Sequence, residues 1–198
     1  MFRDMQKIKE YLALAILMCL PYIIVMFDNY ILKNEVNKHS LTAISHSVFL
    51  MINIILLYKI KRNNKELSGG ILLITGLFAA MLIRENRENI RELFSGTVHW
   101  SWLALAVSLY YLWQGTKNGV RKAFIDLREM HRFSDYNYLI CGLILVLVWS
   151  RLFGNRFVWK GIEHIHYSEA LKNTAEEPTQ SLGYLIIMFG LVKILKSK

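Results

Sequence analysis

The sequence predicts an all-α fold, a polytopic integral membrane helical bundle of about six transmembrane helices with a short amphipathic interfacial helix between spans four and five. Two observations support this class. Hydrophobic residues make up 54% of the 198 residues, and the mean hydropathy of +0.30 is high for a soluble domain with an ordinary polar surface. The apolar residues also form uncharged blocks close to the roughly 17–25 residues that a helix needs to cross a bilayer.

The first four uncharged blocks are long enough to span a membrane by themselves. The last two blocks, 136–150 and 178–192, reach spanning length if Arg151, Lys193 and Lys196 extend their charged ends towards the membrane surface. The remaining chain is too short for a separate soluble domain, so we expect one transmembrane domain over residues 1–198. Its predicted spans are 11–32, 40–60, 67–85, 93–114, 136–153 and 175–195.

The distribution of basic residues predicts the orientation. In the six-span arrangement, fifteen Lys and Arg residues fall on the side of both termini and nine on the other side. Because cytoplasmic segments carry the excess of Lys and Arg, both termini are predicted to be cytoplasmic, in the plasma membrane or the inner membrane of a bacterium. The net charge of +9 then faces anionic inner-leaflet lipids. Its division among four short flanking segments argues against nucleic-acid binding.

A short amphipathic helix is predicted at 119–133, between spans four and five. Apolar residues recur there at spacings of four, three and three, which places them on one helical face, and basic residues occupy the rest. Such a helix lies flat on a membrane with anionic headgroups, and the alternative is a docking site for a cytoplasmic partner. The apolar residues are Val120, Phe124, Leu127 and Met130, and the basic ones are Arg121, Lys122, Arg128 and Arg132.

Two histidines are candidate cofactor ligands. His46 and His99 each lie six residues, roughly 9 Å, inside the outer end of a predicted span. Two imidazoles at the same depth could share a metal ion or bind the two faces of a haem. The alternative is that neighbouring hydroxyl groups of Ser45, Ser47 and Thr97 satisfy them.

The last outer loop contains a second metal candidate, formed by Glu163, His164 and His166. The Glu-x-x-His spacing places a carboxylate and an imidazole on one helical face, although a complete site needs further ligands. After this loop, Glu176 and Glu177 are interpreted as acidic residues in the first turn of the sixth span, which Thr174 would cap.

Further ionisable residues near the outer ends of spans are functional candidates because charge at membrane depth is costly. Asp28 is interpreted as an interfacial carboxylate in contact with water. Arg151 either extends to lipid headgroups or pairs with an outer carboxylate, for which Glu176 and Glu177 are the preferred partners. A charge cluster after the third span is either a solvated helix end or an anion-binding vestibule, and comprises Arg84, Glu85, Arg87, Glu88, Arg91 and Glu92.

Three classes of function remain open from the sequence. The first is a non-enzymatic protein that binds other membrane components, as a subunit, immunity factor or regulator, with protein partners or as a homo-oligomer. The second is a metal- or haem-binding membrane enzyme or electron carrier with its site on the outer side. The third is a small oligomeric channel or transporter. Cys19 and Cys141 lie in apolar spans without a CxxC motif, so thiol–disulfide chemistry is not expected.

Overall fold

The structure is a computed structural model that describes residues 2–31, 40–161 and 169–197. Every regular element in these ranges is a helix, and no strand occurs among them, which confirms the predicted all-α class. The principal helices are α1 (Phe2–Met26), α2 (Leu41–Asn63), α3 (Ser68–Glu85), α4 (Arg87–Leu93), α5 (Trp100–Thr116), α6 (Val120–Glu129), α7 (Tyr136–Ile144), α8 (Ser150–Phe153), α9 (Arg156–Lys160) and α10 (Glu169–Lys196).

Shorter turns connect several of these helices. A π-helical turn, Phe27–Ile31, continues α1, and another, Leu145–Trp149, joins α7 to α8 without a break in the helical path. The 3₁₀ turns Lys65–Leu67 and Met130–Arg132 precede α3 and follow α6.

The chain is a multi-pass membrane protein. Within the described ranges, five helical segments are long and apolar enough to cross a bilayer. They are Ile8–Met26, Leu41–Asn63, Lys65–Glu85, Tyr136–Phe153 and Lys172–Lys196. The predicted count of six spans is therefore not confirmed.

The predicted fourth span is not among these five, because α5 begins at Trp100 and not at Leu93 as predicted. Leu93 ends the short helix α4, and the chain then turns through Ser95 and Gly96, both with positive φ. This turn lies within the first residues of the predicted fourth span, so these residues are not part of α5. The remaining helix has 17 residues, which is at the lower limit of the roughly 17–25 residues that cross a bilayer.

The final helix also differs from its predicted start. The described part of α10 already runs from Glu169, so Thr174 lies inside the helix and its predicted role as the cap is wrong. The five residues before Thr174 include Glu, Ala, Leu and Lys, which favour helix, and they extend it in the N-terminal direction. Pro178 is consequently an internal residue of α10.

The chain forms two compact units, which we describe separately. Unit 1 comprises Met1–His46 and Ile140–Phe189. Inside it, α7 and α10 approach closely where Gly142 faces Gly183. A Cβ atom built at Gly183 would lie 2.4 Å from Cγ2 of Val146 and 2.9 Å from the carbonyl oxygen of Gly142. Small residues permit such contacts between membrane helices.

Unit 2 comprises Ser47–Leu139 and Gly190–Lys198. Its centre is α3, which packs along α5 and against α6. A Cβ atom at Gly70 would lie 2.6 Å from the backbone nitrogen of Leu127, so glycine allows α6 to rest directly on α3. Buried apolar residues of α3 form much of this core: Ile71, Leu72, Ile74, Phe78 and Met81.

Candidate functional site

Asp28 joins the end of α1 to the start of α2 within unit 1. Its Oδ1 accepts a hydrogen bond from the Leu41 amide at 2.9 Å, and its Oδ2 accepts one from the Thr42 amide at 2.8 Å and another from the Thr42 hydroxyl. Asp28 is fully buried, so its interpretation as a water-exposed carboxylate is wrong. The π-helical turn after Met26 brings the carboxylate to the α2 N-terminus, where amides lack helical partners and favour negative charge.

His46 lies at the centre of a buried polar cluster on α2 and α10. Its Nε2 is 2.6 Å from the Ser181 hydroxyl and 3.2 Å from the Glu177 carbonyl oxygen, while its Nδ1 is 3.4 Å from Oε2 of Glu177. The ring of Tyr184 meets the imidazole edge to face at a centroid distance of 5.6 Å. Gln180 donates a hydrogen bond to the hydroxyl of Tyr184 at 2.7 Å. We call these five residues the His46 cluster.

The geometry of the His46 cluster defines its chemistry. Nε2 lies within hydrogen-bond distance of both the Ser181 hydroxyl and the Glu177 carbonyl oxygen, and Nδ1 faces the Glu177 carboxylate. Serine, histidine and carboxylate stand in the order that general-base catalysis uses, but His46 and Ser181 are 0% and 1% exposed, which keeps the hydroxyl away from any substrate. A metal ion would have to displace polar contacts of α10 to reach either nitrogen. The arrangement therefore serves to join α2 to α10.

The predicted site residues Arg151 and Glu176 form an ion pair next to the His46 cluster along α10. Arg151 Nη1 lies 3.3 Å from Glu176 Oε1, and Lys172 Nζ lies 3.7 Å from Glu176 Oε2. Pairing with a preferred carboxylate is present, but the Arg151 side chain is 43% exposed. Such an exposed pair contributes about 0–1 kcal/mol to stability. Gly154 leaves the space that the Glu176 carboxylate occupies.

The charge cluster after the third span is divided by a break in the helix. α3 ends at Glu85 and α4 begins at Arg87, so Arg84 lies on one helix and Arg87 and Arg91 lie on the next. Asn86 occupies the junction and donates a hydrogen bond to the Ser47 hydroxyl at 2.8 Å. Sequence neighbours pair within the cluster, Arg84 with Glu85 at 2.6 Å and Arg87 with Glu88 at 3.7 Å, while Arg91 and Glu92 are exposed.

The two predicted cofactor ligands have different surroundings. His99 precedes the first turn of α5 and is exposed, whereas the sequence places it six residues inside a span. Its Nδ1 is 2.7 Å from the Ser101 hydroxyl and accepts from the Ser101 amide, so His99 caps the helix. His99 belongs to unit 2 and His46 to unit 1. A ligand shared by the two histidines stays a prediction.

The predicted metal candidates Glu163, His164 and His166 lie outside the described residues. Among the residues that the structure does describe, no group of three or more His, Cys, Asp or Glu side chains is arranged to hold a metal ion. Cys19 and Cys141 are both exposed on the surface of the chain, as free thiols.

Sequence reasoning missed three members of the His46 cluster, although α10 contained a signal for them. Gln180, Ser181 and Tyr184 follow Glu177 at spacings of three, four and seven, and this pattern places four polar side chains on one face of α10. Polar residues on one face of a membrane helix tend to bond to a neighbouring helix. His46 is the polar residue of the predicted second span that bonds to this face of α10.

A second candidate site is the exposed surface of α6 in unit 2. Ala123 and Asp126 face α3, and Oδ2 of Asp126 accepts a hydrogen bond from the Gly69 amide at 3.1 Å. Val120 and Phe124 are 60% and 63% exposed, and three arginines of α6 and the turn after it are also exposed: Arg121, Arg128 and Arg132. The predicted apolar face is thus divided, since Met130 is buried in the protein and Leu127 is half-buried.

The structure therefore presents two candidate sites, each inside one compact unit. The His46 cluster is closed and internally bonded, whereas the α6 surface is open and carries both apolar and basic side chains. Comparison of the chain with protein-family models, curated proteins and solved structures found no match.

Proposed function

We propose that this multi-pass protein acts by binding other membrane components, as a subunit, immunity factor or regulator, and that α6 provides its binding surface. The observation that carries the proposal is the exposure of Val120 and Phe124 on α6, whose other face packs against α3. Exposure of large apolar side chains to water is unfavourable in free energy. We therefore expect a membrane or a protein partner to cover them. The adjacent arginines favour anionic lipid headgroups or acidic protein groups.

Its rigid attachment suits α6 to this role. The Asp126–Gly69 hydrogen bond and the close contact at Gly70 hold its buried face, so the exposed face keeps a fixed orientation. A preorganised surface loses less conformational entropy on binding than a mobile segment does.

A cysteine-accessibility experiment tests the covered face of α6. Phe124→Cys, in a background with Cys19 and Cys141 replaced by Ser, should react slowly with a water-soluble maleimide in native membranes. Lys122→Cys, on a different face of the same helix, is the matched control and should react several times faster. Adding Arg121→Gln, Arg128→Gln and Arg132→Gln to the Phe124→Cys protein should raise its labelling rate without preventing membrane insertion, since the basic residues hold the helix on its anionic partner.

Equal labelling of the Lys122→Cys and Phe124→Cys proteins would contradict the proposal, because it would mean that the apolar face of α6 is open to water. Unchanged labelling of the Phe124→Cys protein after removal of the arginines would exclude a role for charge in covering that face.

We further propose that α5 crosses the membrane as a sixth span and that both termini are cytoplasmic, in the plasma membrane, which places α6 on the inner surface. The fifteen-to-nine division of basic residues supports this orientation. Topology reporters fused after Asn64 and Gly119 should report a cytoplasmic position, and those fused after Ser95 and Asn173 an external one. Reversal of any two of these four results would refute the arrangement.

A further inference from the structure

A basic groove lies at the end of α2, within unit 2. The last turns of α2 and the 3₁₀ turn Lys65–Leu67 border this groove, which is open to one side and has a volume of about 630 Å³. This volume falls in the range of about 300–1,000 Å³ that is typical of small-molecule sites. Its walls include Ile55, Tyr58, Lys59, Lys61, Arg62 and Lys65.

The groove combines positive charge with an apolar wall. Four cationic side chains line it, and no carboxylate is among the residues that form its walls in the described chain. Ile55 is half exposed and lies seven residues, about 10 Å, before Arg62 along α2. The charged end of the groove is thus at the end of a membrane-spanning helix, and its apolar end extends towards the hydrocarbon region.

Aromatic contacts shape the groove wall. The hydroxyl groups of Tyr58 and Tyr111 are hydrogen-bonded at 2.7 Å, which ties the side of the groove to α5. Lys61 Nζ lies 5.8 Å from the centre of the Tyr58 ring, within the range of a cation–π contact. These contacts restrain Tyr58 and Lys61, so part of the site is formed before any ligand arrives.

We infer that this groove binds one anionic glycerophospholipid. The headgroup phosphate contacts Lys59, Lys61, Arg62 and Lys65, and an acyl chain lies along Ile55. Charge complementarity selects an anionic headgroup, and basic pockets at helix ends bind such lipids in other membrane proteins. The apolar wall favours a phospholipid over free inorganic phosphate, which has no group to place there. The site uses no residue of α6 and is independent of the proposed function.

The experiment measures phospholipid binding to the purified protein by native mass spectrometry, with phosphatidylglycerol or phosphatidylcholine added to the detergent micelles. The first variant is Lys59→Gln/Lys61→Gln/Arg62→Gln/Lys65→Gln. The matched control, Lys9→Gln/Lys117→Gln/Lys160→Gln/Lys196→Gln, loses the same charge from exposed positions outside both the groove and α6. Ile55→Trp fills the apolar end and retains every charge, and a reporter fused after Asn64 verifies that each variant keeps the parental topology.

The parent should bind one phosphatidylglycerol in preference to phosphatidylcholine. The quadruple groove variant should lose that binding by roughly tenfold or more, because it lacks the basic residues that attract the anionic headgroup. Ile55→Trp should lose it because the larger side chain occupies the position of the acyl chain. The control with four charges removed elsewhere should retain it. Equal losses in the groove charge variant and this control would overturn the site in favour of general surface attraction. Full retention by Ile55→Trp would exclude the acyl-chain position, and displacement by millimolar inorganic phosphate would identify an anion site instead.

Discussion

Asp28→Ala is expected to lower the stability of the protein by on the order of 2 kcal/mol. The substitution removes a buried carboxylate that accepts hydrogen bonds from two backbone amides and a hydroxyl at the start of α2. Loss of an N-terminal cap costs about 0.5–2 kcal/mol, and hydrogen bonds to charged groups contribute about 1.5–3 kcal/mol. Thermal unfolding in mild detergent, followed by helical circular dichroism, measures the change.

Two further variants test whether the loss of stability comes from the Asp28 carboxylate. Asp28→Asn keeps one acceptor oxygen and should lose less stability than Asp28→Ala. Glu92→Ala removes an exposed carboxylate and should unfold at the temperature of the parent. If Asp28→Ala were as stable as Glu92→Ala, the carboxylate would not be holding the end of α2.

Gly183→Ala is expected to destabilise the contact between α7 and α10 in unit 1 by about 1–3 kcal/mol, as overpacking does. The direction of the change in stability is informative, because in an isolated helix the same substitution is stabilising by about 1 kcal/mol. Here the added methyl group would meet Val146 at 2.4 Å and the Gly142 carbonyl oxygen at 2.9 Å, and the backbone oxygen cannot rotate away.

A double-mutant cycle identifies the cause of the Gly183 effect. Val146→Ala removes the side chain that the new methyl group meets, so it should recover part of the lost stability in the Gly183→Ala background. Gly161→Ala is the control, since its Cβ atom would have no neighbour closer than 3.3 Å. A Gly183→Ala protein more stable than the parent would show that the two helices are not in close contact there.

The predicted fold class depends on a property that is local in sequence. Blocks of uncharged residues predict membrane-spanning helices because each helix satisfies its own backbone hydrogen bonds, whatever lies beside it. Helix ends are less predictable. The apolar composition at Leu93 favours a span, but the turn at Ser95 and Gly96 ends that stretch, and the helix restarts at Trp100.

The candidate site residues were predicted by type, and the pairing of Arg151 with Glu176 was among the predicted contacts, but the partners of His46 and Asp28 were not predicted. His46, Glu176 and Glu177 are recognisable because ionisable groups are rare in apolar helices. The contact of His46 with Ser181 joins residues 135 positions apart and depends on the relative rotation of α2 and α10. The sequence contains several outer carboxylates that could pair with Arg151. In the structure Glu176 lies beside Arg151, in the space that Gly154 leaves open.

The sequence by itself determined that this chain is helical and that it is built from membrane-spanning segments. Tertiary structure decided that Asp28 caps α2 away from water, that the imidazole of His46 bonds to α10, and that α6 rests on α3 with Phe124 exposed. The physical reason is the range of the interactions. Hydrophobicity and helix formation act over neighbouring residues, whereas a side chain's burial and hydrogen-bond partner depend on which helix packs against it.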